Sequence, residues 1–156
     1  MNLLGLIPHA GTMCLLDRVV AHSGDDIQCV TRTHTHPDNP LRRDGQLSAL
    51  QLIEYAAQAM AAHGALVSGG VQPGMLASVR DMRLHVERID DIDTELTIRA
   101  TRRIAQSAGS LYDFTVHGSD RLLCEGRIAI VLLLAAALPG DLFGHLAPEG
   151  HGSRGK

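Results

Sequence analysis

The sequence predicts an α+β fold in which a curved antiparallel sheet of about six strands wraps one long central helix. Three observations indicate this fold: β-prone stretches at residues 13–20 and 27–33, an apolar helical stretch at residues 47–66, and four alternating stretches in the second half of the chain. A single helix that is apolar on nearly all sides needs a surface that surrounds it, and a strongly curved sheet provides one.

The first two strands are predicted to form a hairpin. The β-prone residues 13–20 and 27–33 flank the Ser-Gly-Asp-Asp cluster at residues 23–26, which is typical of a turn. Two prolines and the Asp44-Gly45 pair then break regular structure over about ten residues. The long helix therefore begins after this loop, with Ser48 or the Asp44-Gly45 pair as its candidate cap.

The predicted helix at residues 47–66 is rich in Ala and Leu and contains no proline. Gly64 or the Gly69-Gly70 pair is expected to end it. At about 100° per residue, Glu54 and Gln58 fall on one side of the helix while apolar residues cover the rest. We therefore expect this helix to be buried on nearly all sides.

Glu54 is an isolated charge in this apolar stretch. Between Asp44 and Arg80 it is the only Asp, Glu, Lys or Arg of the sequence. A carboxylate in such a place either reaches water, pairs with a distant arginine such as Arg80 or Arg83, or has a functional role. The isolation of Glu54 favours a functional role.

The second half of the chain alternates apolar and polar residues. This alternation is clear at residues 96–101 and 111–116, and turn signals lie at residues 90–93, 107–109 and 118–120. We therefore predict four antiparallel strands joined by short turns.

The order of two strands, one helix and four strands is that of the hotdog fold. A single hotdog domain at residues 1–138 accounts for all the predicted elements, and a chain of this length can bury about two thirds of its unfolded surface. Residues 139–156 are rich in Gly and Pro and have no usable period, so we predict a flexible C-terminal tail there.

Composition argues against nucleic-acid binding and membrane insertion. The net charge is −3, the 14 basic and 17 acidic residues are spread along the chain, and two Tyr and two Phe offer few rings for base stacking. The longest apolar run, residues 128–138, is too short to cross a bilayer, and the N-terminal residues do not read as a signal peptide. Three widely spaced cysteines indicate reduced thiols, and we expect a cytoplasmic protein.

Two motifs carry a resemblance to a known family. The stretch "IPHAGTMCLLDRV" at residues 7–19 resembles the N-terminal signature of bacterial 3-hydroxyacyl-acyl-carrier-protein dehydratases, in which Pro-His and Asp-Arg-Val stand at the same spacing. The stretch "EYAAQAM" at residues 54–60 resembles the helix motif of that family, which places Glu54 on its catalytic carboxylate and Gln58 on a glutamine one turn later. The loop "HPDNPLRRDG" at residues 36–45 resembles a divergent branch of dehydratase-like hotdog proteins associated with aryl polyene and related polyketide-type pathways.

The resemblance implies a chemistry and an assembly. In that family the active site lies at a dimer interface, where a loop histidine of one subunit faces the helix carboxylate of the other. The implied reaction removes water from a 3-hydroxyacyl thioester to give the trans-2-enoyl product, and histidine and a desolvated carboxyl can act as base and acid near neutral pH. The substrate would be carried on the phosphopantetheine of an acyl carrier protein with no other cofactor, and backbone N–H groups at the helix start would bind the thioester oxygen.

The loop before the helix departs from the family pattern. The family loop reads Gly-His-Phe-Pro-Gly, with its histidine 14 residues before the carboxylate, a position that Pro40 occupies here. His36 is therefore the candidate base, His34 is an alternative, and the absence of a catalytic histidine is a third possibility. The His34-Thr35-His36 spacing could suggest a metal, but no third ligand follows at a persuasive spacing, so we predict no metal.

We therefore expect a dehydratase-like protein with Glu54 and His36 as the catalytic acid–base pair. Gln58, Gly45 and Arg42 are the candidate substrate-binding residues, and Arg42 could attract a phosphopantetheine phosphate or an acidic carrier protein. The expected partners are an acyl carrier protein and a second hotdog subunit, in a homodimer or a heterodimer. Two alternatives remain: a non-catalytic acyl-binding subunit of a hetero-oligomeric dehydratase, and an acyl thioesterase in which the helix carboxylate activates water.

Overall fold

In the computed structural model, the described residues are 3, 5–6, 11–70 and 74–132. The predicted tail at residues 139–156 and the Pro8-His9 part of the N-terminal motif lie outside them. In chain order, the described residues form β1 (Arg18–His22), β2 (Asp26–Thr31), α1 (Leu52–Ser68), β3 (Gly74–Leu84), β4 (Leu96–Gln106), β5 (Gly109–Gly118) and β6 (Arg121–Leu132).

The six strands form one antiparallel sheet in the order β1-β2-β4-β5-β6-β3. Helix α1 packs against β2, β4 and β5, so the sheet encloses it from several sides. This arrangement confirms the predicted α+β hotdog fold. β1 and β3 are the edges of the sheet, and β3 follows α1 in the chain although its partner in the sheet is β6.

The alternating stretches of the second half form strands as predicted. Ile98 of β4 lies opposite Val116 of β5, and Ala100 lies opposite Phe114, with all four side chains buried. In an antiparallel sheet with one face on the core, alternate residues of each strand point inwards, which accounts for the period of two in the sequence.

The ends of α1 are set by Ser48 and Gly69. The Ser48 hydroxyl accepts the N–H of Leu50 at 3.2 Å and begins a 3-10 turn over Ala49–Gln51, which leads directly into α1. After Ser68 the backbone reverses at Gly69, whose φ of +81° lies in the left-handed region. The helix continues through Gly64, because an internal glycine costs only about 1 kcal/mol relative to alanine.

One face of α1 is open, so the prediction of burial on nearly all sides is wrong for a single chain. Val67 is 39% exposed and Glu54 is exposed, and Leu50, in the 3-10 turn just before the helix, is 53% exposed. The sheet of one subunit covers the other faces of the helix and leaves this stripe uncovered. In the described part of the chain, no helix is both long and apolar enough to span a membrane.

Candidate functional site

The open face of α1 forms one wall of a cavity of about 460 Å³. The cavity follows the helix from Glu54 in the first turn to Ser68 at its end, a distance of about 21 Å at the usual rise per residue. Its other walls come from β3, β6 and the facing parts of β4 and β5. Both its volume and its mostly apolar surface are typical of a small-molecule site.

Two charged side chains stand among the described residues that line this cavity. Glu54 lies near the start of the helix, and Arg102 of β4 lies near the turn that joins β1 and β2. The cavity wall therefore presents one acidic and one basic side chain.

Gln58 lies one turn after Glu54. It lines the cavity and also forms hydrogen bonds to the backbone of the segment before β1. Its Oε1 accepts the N–H of Leu15 at 2.9 Å, and its Nε2 donates to the carbonyl oxygen of Met13 at 2.6 Å. The side chain is buried and ties the segment before β1 to α1. Its predicted role in substrate binding stays a prediction.

Asp17 belongs to the N-terminal motif and has a structural role. Its carboxylate accepts the N–H of Arg32 at 2.7 Å, and its own N–H donates to the carbonyl oxygen of Val30 at 3.0 Å. These contacts hold the residues before β1 against the end of β2. The aspartate of the motif therefore fixes the loop that follows β2.

His34 is fully buried away from the cavity wall. Its Nε2 lies 2.9 Å from the carbonyl oxygen of Ile92, and because a carbonyl only accepts, Nε2 must carry the proton. Burial lowers the pKa of His34, so the ring is neutral near physiological pH. These contacts are those of a structural histidine.

His36 is exposed and follows the 3-10 turn Thr33–Thr35. Its N–H donates to the carbonyl oxygen of Thr33 at 3.1 Å. Within one chain, the cavity wall includes Glu54 and Gln58 but neither of the two loop histidines, as far as the described residues show. The pairing of His36 with Glu54 stays a prediction.

Arg42 and Gly45 hold the shape of the same loop. The guanidinium of Arg42 donates to the carbonyl oxygens of His34 at 3.1 Å, His36 at 2.8 Å and Gly45 at 2.8 Å. Gly45 has a φ of +74°, a conformation that side chains rarely adopt. The roles of both residues in substrate binding stay predictions, because these contacts are all within the loop.

Tyr55 anchors this loop to the helix. Its hydroxyl lies 3.0 Å from Thr33 Oγ1 and accepts from Asn39 Nδ2 at 3.0 Å. The Thr33 hydroxyl in turn donates to the carbonyl oxygen of Leu15 at 2.6 Å. A buried polar network thus joins the loop, the segment before β1 and the first turn of α1.

The N–H groups at the helix start are already paired. The N–H of Leu47 donates to Asp90 Oδ1 at 2.9 Å, and that of Ala49 donates to the carbonyl oxygen of Glu87 at 2.9 Å. The next two N–H groups, of residues 50 and 51, both donate to Ser48, at 3.2 and 3.1 Å. The expectation that this part of the backbone would bind the thioester oxygen is not met by these four groups.

His63 and Tyr112 form a second buried polar contact beside the cavity. His63 Nδ1 lies 2.7 Å from the Tyr112 hydroxyl, and Nε2 lies 3.0 Å from the carbonyl oxygen of Ser23. Burial lowers the pKa of His63 and raises that of Tyr112.

In the described residues, no group of three or more His, Cys, Asp or Glu side chains is placed to hold a metal ion.

Comparison with known proteins identifies the family. The model of the ApeP-like family, described as ApeP dehydratase, matches residues 1–135. The chain belongs to the ApeP-like dehydratase family. This membership confirms the resemblance to the divergent dehydratase branch of aryl polyene type that the motifs indicated.

Solved structures share the fold of this ApeP-like chain. The dehydratase heterocomplex ApeI:P from Xenorhabdus doucetiae matches with a TM-score of 0.78 and 20% identity, over 86% of this chain and 93% of that chain. A hypothetical thioesterase with coenzyme A from Streptococcus pneumoniae matches with a TM-score of 0.55 and 12% identity, over 74% and 84%. A thioesterase from Haemophilus influenzae matches with a TM-score of 0.56 and 14% identity, over 77% and 80%. No curated protein sequence matches the chain.

The resemblance assigns no role to several residues that shape the site. Tyr55 and Asn39 anchor the loop, Arg102 and Tyr112 line the cavity, and His63 contacts Tyr112. The only sequence signal for His63 and Tyr55 is a polar group at an inward position of an apolar helix. Their partners lie far along the chain and have no signal of their own.

Proposed function

We propose that this ApeP-like chain is a subunit of a dehydratase that removes water from 3-hydroxyacyl thioesters in fatty-acid or polyketide-type synthesis. The proposal depends on one observation: Glu54 lies in the wall of an elongated, mostly apolar cavity. Such a cavity fits an acyl chain, and a carboxyl at one end of it can act on the reacting carbon atoms. Membership of the dehydratase family supports the same class of reaction.

The elimination needs one acid and one base. We assign the acid to Glu54, whose proton goes to the departing hydroxyl as the carbon–oxygen bond breaks and water leaves. The base takes the α-proton, and the electrons of that bond form the double bond of the trans-2-enoyl thioester. A carboxyl stays protonated near neutral pH only when it is shielded from water. Because Glu54 is exposed in the single chain, a second subunit must cover it.

The second subunit must also bring the base. His36 of another copy of this chain is one source, and a histidine of a different hotdog subunit is the other. We favour a heterodimer, because the family loop histidine is replaced by Pro40 and the similar structure from Xenorhabdus doucetiae is a heterocomplex. The substrate in this proposal is carried on the phosphopantetheine of an acyl carrier protein.

The test compares single variants of the chain co-purified with its hotdog partner, using a 3-hydroxyacyl thioester of acyl carrier protein. Glu54→Gln should lower kcat by about a hundredfold or more, while the Tm stays nearly the same because glutamine keeps the size and shape of the side chain. The matched control is Glu87→Gln, an exposed glutamate outside the cavity lining, which should retain full turnover. Full turnover by Glu54→Gln would rule the proposal out.

The variant His36→Ala separates the two sources of the base. If His36→Ala has no turnover and the wild-type chain is active without a partner, the base is His36 in a homodimer. Full turnover by His36→Ala in the presence of the partner would support the heterodimer.

The products formed by the wild-type complex separate the alternative functions. Release of free thiol without an enoyl product would indicate a thioesterase, and binding without either product would indicate an accessory acyl-binding subunit.

A further inference from the structure

Gly64 lies inside α1, where the local backbone does not require a glycine. The helix continues for four residues beyond it, and the chain reverses at Gly69, so Gly64 takes no part in ending the helix. Its φ also lies outside the left-handed region that favours glycine. A glycine inside a helix is unfavourable relative to alanine, because it adds conformational freedom to the unfolded chain. The reason for this glycine must therefore lie in what surrounds it.

Packing within the chain does not require Gly64 either. A Cβ atom added at Gly64 would meet nothing within 4 Å among the described residues. At Gly126, by contrast, the same atom would lie 3.0 Å from the ring of Phe114, so close packing accounts for that glycine. Gly64 is one of the residues that line the cavity. The open space in front of Gly64 is therefore part of the cavity.

The helix sets the distance between Gly64 and Glu54. Both residues line the cavity, and the ten residues between their positions correspond to about 15 Å along the axis of α1. An extended chain advances by about 1.2 Å per bond, so about twelve bonds span this distance. This step rests on the proposed function, which places the thioester beside Glu54. An acyl chain of eight carbons then ends before Gly64, whereas one of sixteen carbons passes it.

The cavity wall around Gly64 suits a hydrocarbon chain. Met60, Ala61 and Val67 lie within one turn of Gly64 and also line the cavity. The Ser68 hydroxyl donates to the carbonyl oxygen of Gly64 at 2.7 Å, so this polar group of the lining is already paired. Each methylene group that leaves water along such a wall strengthens binding by about fourfold.

We propose that Gly64 determines the length of the acyl chain that the cavity accepts. The absence of a side chain leaves the path open to chains longer than about twelve carbons. A larger side chain at this position closes the path, so that only the shorter chains keep their full affinity. Gly64 is in this way a specificity-determining residue that takes no part in the chemistry.

The experiment measures binding by calorimetry to the complex of the chain with its hotdog partner. The probes are the octanoyl and hexadecanoyl amides of aminopantetheine, in which nitrogen replaces the thioester sulfur, at concentrations below that at which the longer probe aggregates. Neither probe can be dehydrated. The wild-type complex should bind the hexadecanoyl probe about a hundredfold more tightly or better. Gly64→Leu should weaken that probe by about tenfold or more and leave the octanoyl probe within about threefold of the wild type.

The matched control is Gly70→Leu, the same substitution just after the helix. Gly70 is exposed, lies outside the cavity lining and would also accept a Cβ atom without meeting a described neighbour within 4 Å. This variant should keep both wild-type affinities. If Gly64→Leu does not assemble with the partner in mass photometry, Gly64→Ala decides, and it should weaken the hexadecanoyl probe alone by about threefold or more.

Equal affinity of the wild type for both probes would overturn the inference, and so would equal weakening of both probes by the Gly64 variants. A complex whose length preference depends on Gly64 but which does not dehydrate its substrate would contradict the proposed function alone. Dehydration with a length preference that the Gly64 variants leave unchanged would contradict this inference alone.

Discussion

The side-chain amide of Gln58 accepts a hydrogen bond from the backbone N–H of Leu15 at 2.9 Å. The same amide donates to the carbonyl oxygen of Met13, so one side chain of α1 pairs two backbone groups of the segment before β1. Leu15 is fully buried in the core. The amide therefore fixes how this segment covers the helix.

Replacement of Gln58 by Met should lower the free energy of unfolding by about 2–4 kcal/mol, because two buried backbone groups lose their partners while the volume is nearly retained. Urea unfolding measures the change. Gln51→Met is the matched control, since Gln51 is only partly buried and makes no capping hydrogen bond, and its effect should stay within about 0.5 kcal/mol. Similar effects of the two variants would contradict the structural role of Gln58.

Tyr55 and Asn39 should be energetically coupled. Tyr55→Phe and Asn39→Ala should each lower the free energy of unfolding by about 1–2 kcal/mol, because each removes one side of the buried contact between the helix and the loop. In the double variant the loss should be smaller than the sum by about 0.5 kcal/mol or more. Urea unfolding of the four proteins in the cycle gives this coupling. Strict additivity would show that the contact adds nothing to stability.

Two buried histidines should make stability depend on pH. Burial lowers the pKa of both His34 and His63 below the value of 6.5 expected in the unfolded chain. Below that value the unfolded chain binds more protons than the folded one, so the stabilisation is complete above pH 6.5 and is lost as the pH falls towards the folded pKa values. Each histidine contributes a slope of at most about 1.4 kcal/mol per pH unit.

The measurement is the free energy of unfolding between about pH 7.5 and pH 5, the range in which buried neutral histidines charge. His63→Gln keeps a neutral polar group and should lower the slope of the free energy of unfolding against pH. Adding His34→Gln to it, in a double variant, should lower that slope further. A double variant with the wild-type slope would show that other groups cause the pH dependence.

Asp90 should stabilise the start of α1. Its carboxylate accepts the N–H of Leu47 and pairs with Arg88, whose hydrogen bonds hold the pKa of Asp90 well below its ordinary value of 3.8. Asp90→Ala should lower the free energy of unfolding at neutral pH by about 1.5–3 kcal/mol, because a charge-assisted hydrogen bond is lost. Urea unfolding checks this, with Asp91→Ala as the control, since the Asp91 side chain is 59% exposed.

The effect of Asp90→Ala on stability should also depend on pH. Because the folded pKa of Asp90 is lowered, its contribution is complete above pH 3.8 and is lost as the pH falls below that value. The difference in stability between the wild type and Asp90→Ala should therefore shrink in acid. A difference that stays constant down to the lowest pH at which the protein folds would assign the effect to packing.

The features that the sequence predicts correctly depend on local patterns. Leu96, Ile98 and Ala100 point to one face because a strand repeats every two residues, and the isolation of Glu54 is visible without a structure. The partner of Gln58 was not predictable, because Leu15 lies 43 residues away in the chain and a backbone N–H has no signature in sequence. The same is true of the Ser23 carbonyl that orients His63, 40 residues away.

The open face of α1 also escaped prediction, for a different reason. An apolar residue such as Leu50 or Val67 looks the same whether its own sheet or a second subunit covers it. Hydrophobic patterning identifies which residues avoid water, but it does not identify the surface that shields them.

The edge strand β3 has two unlike halves. Residues 74–79 carry no charge and expose Met75 and Leu76, whereas Arg80, Asp81 and Arg83 follow in the second half. Charged side chains discourage an edge strand from adding the strand of another molecule, and an uncharged apolar edge lacks that protection. The chain produced without a partner should therefore be of limited solubility and precipitate as its concentration rises, and substitutions in the first half of β3 should govern that behaviour.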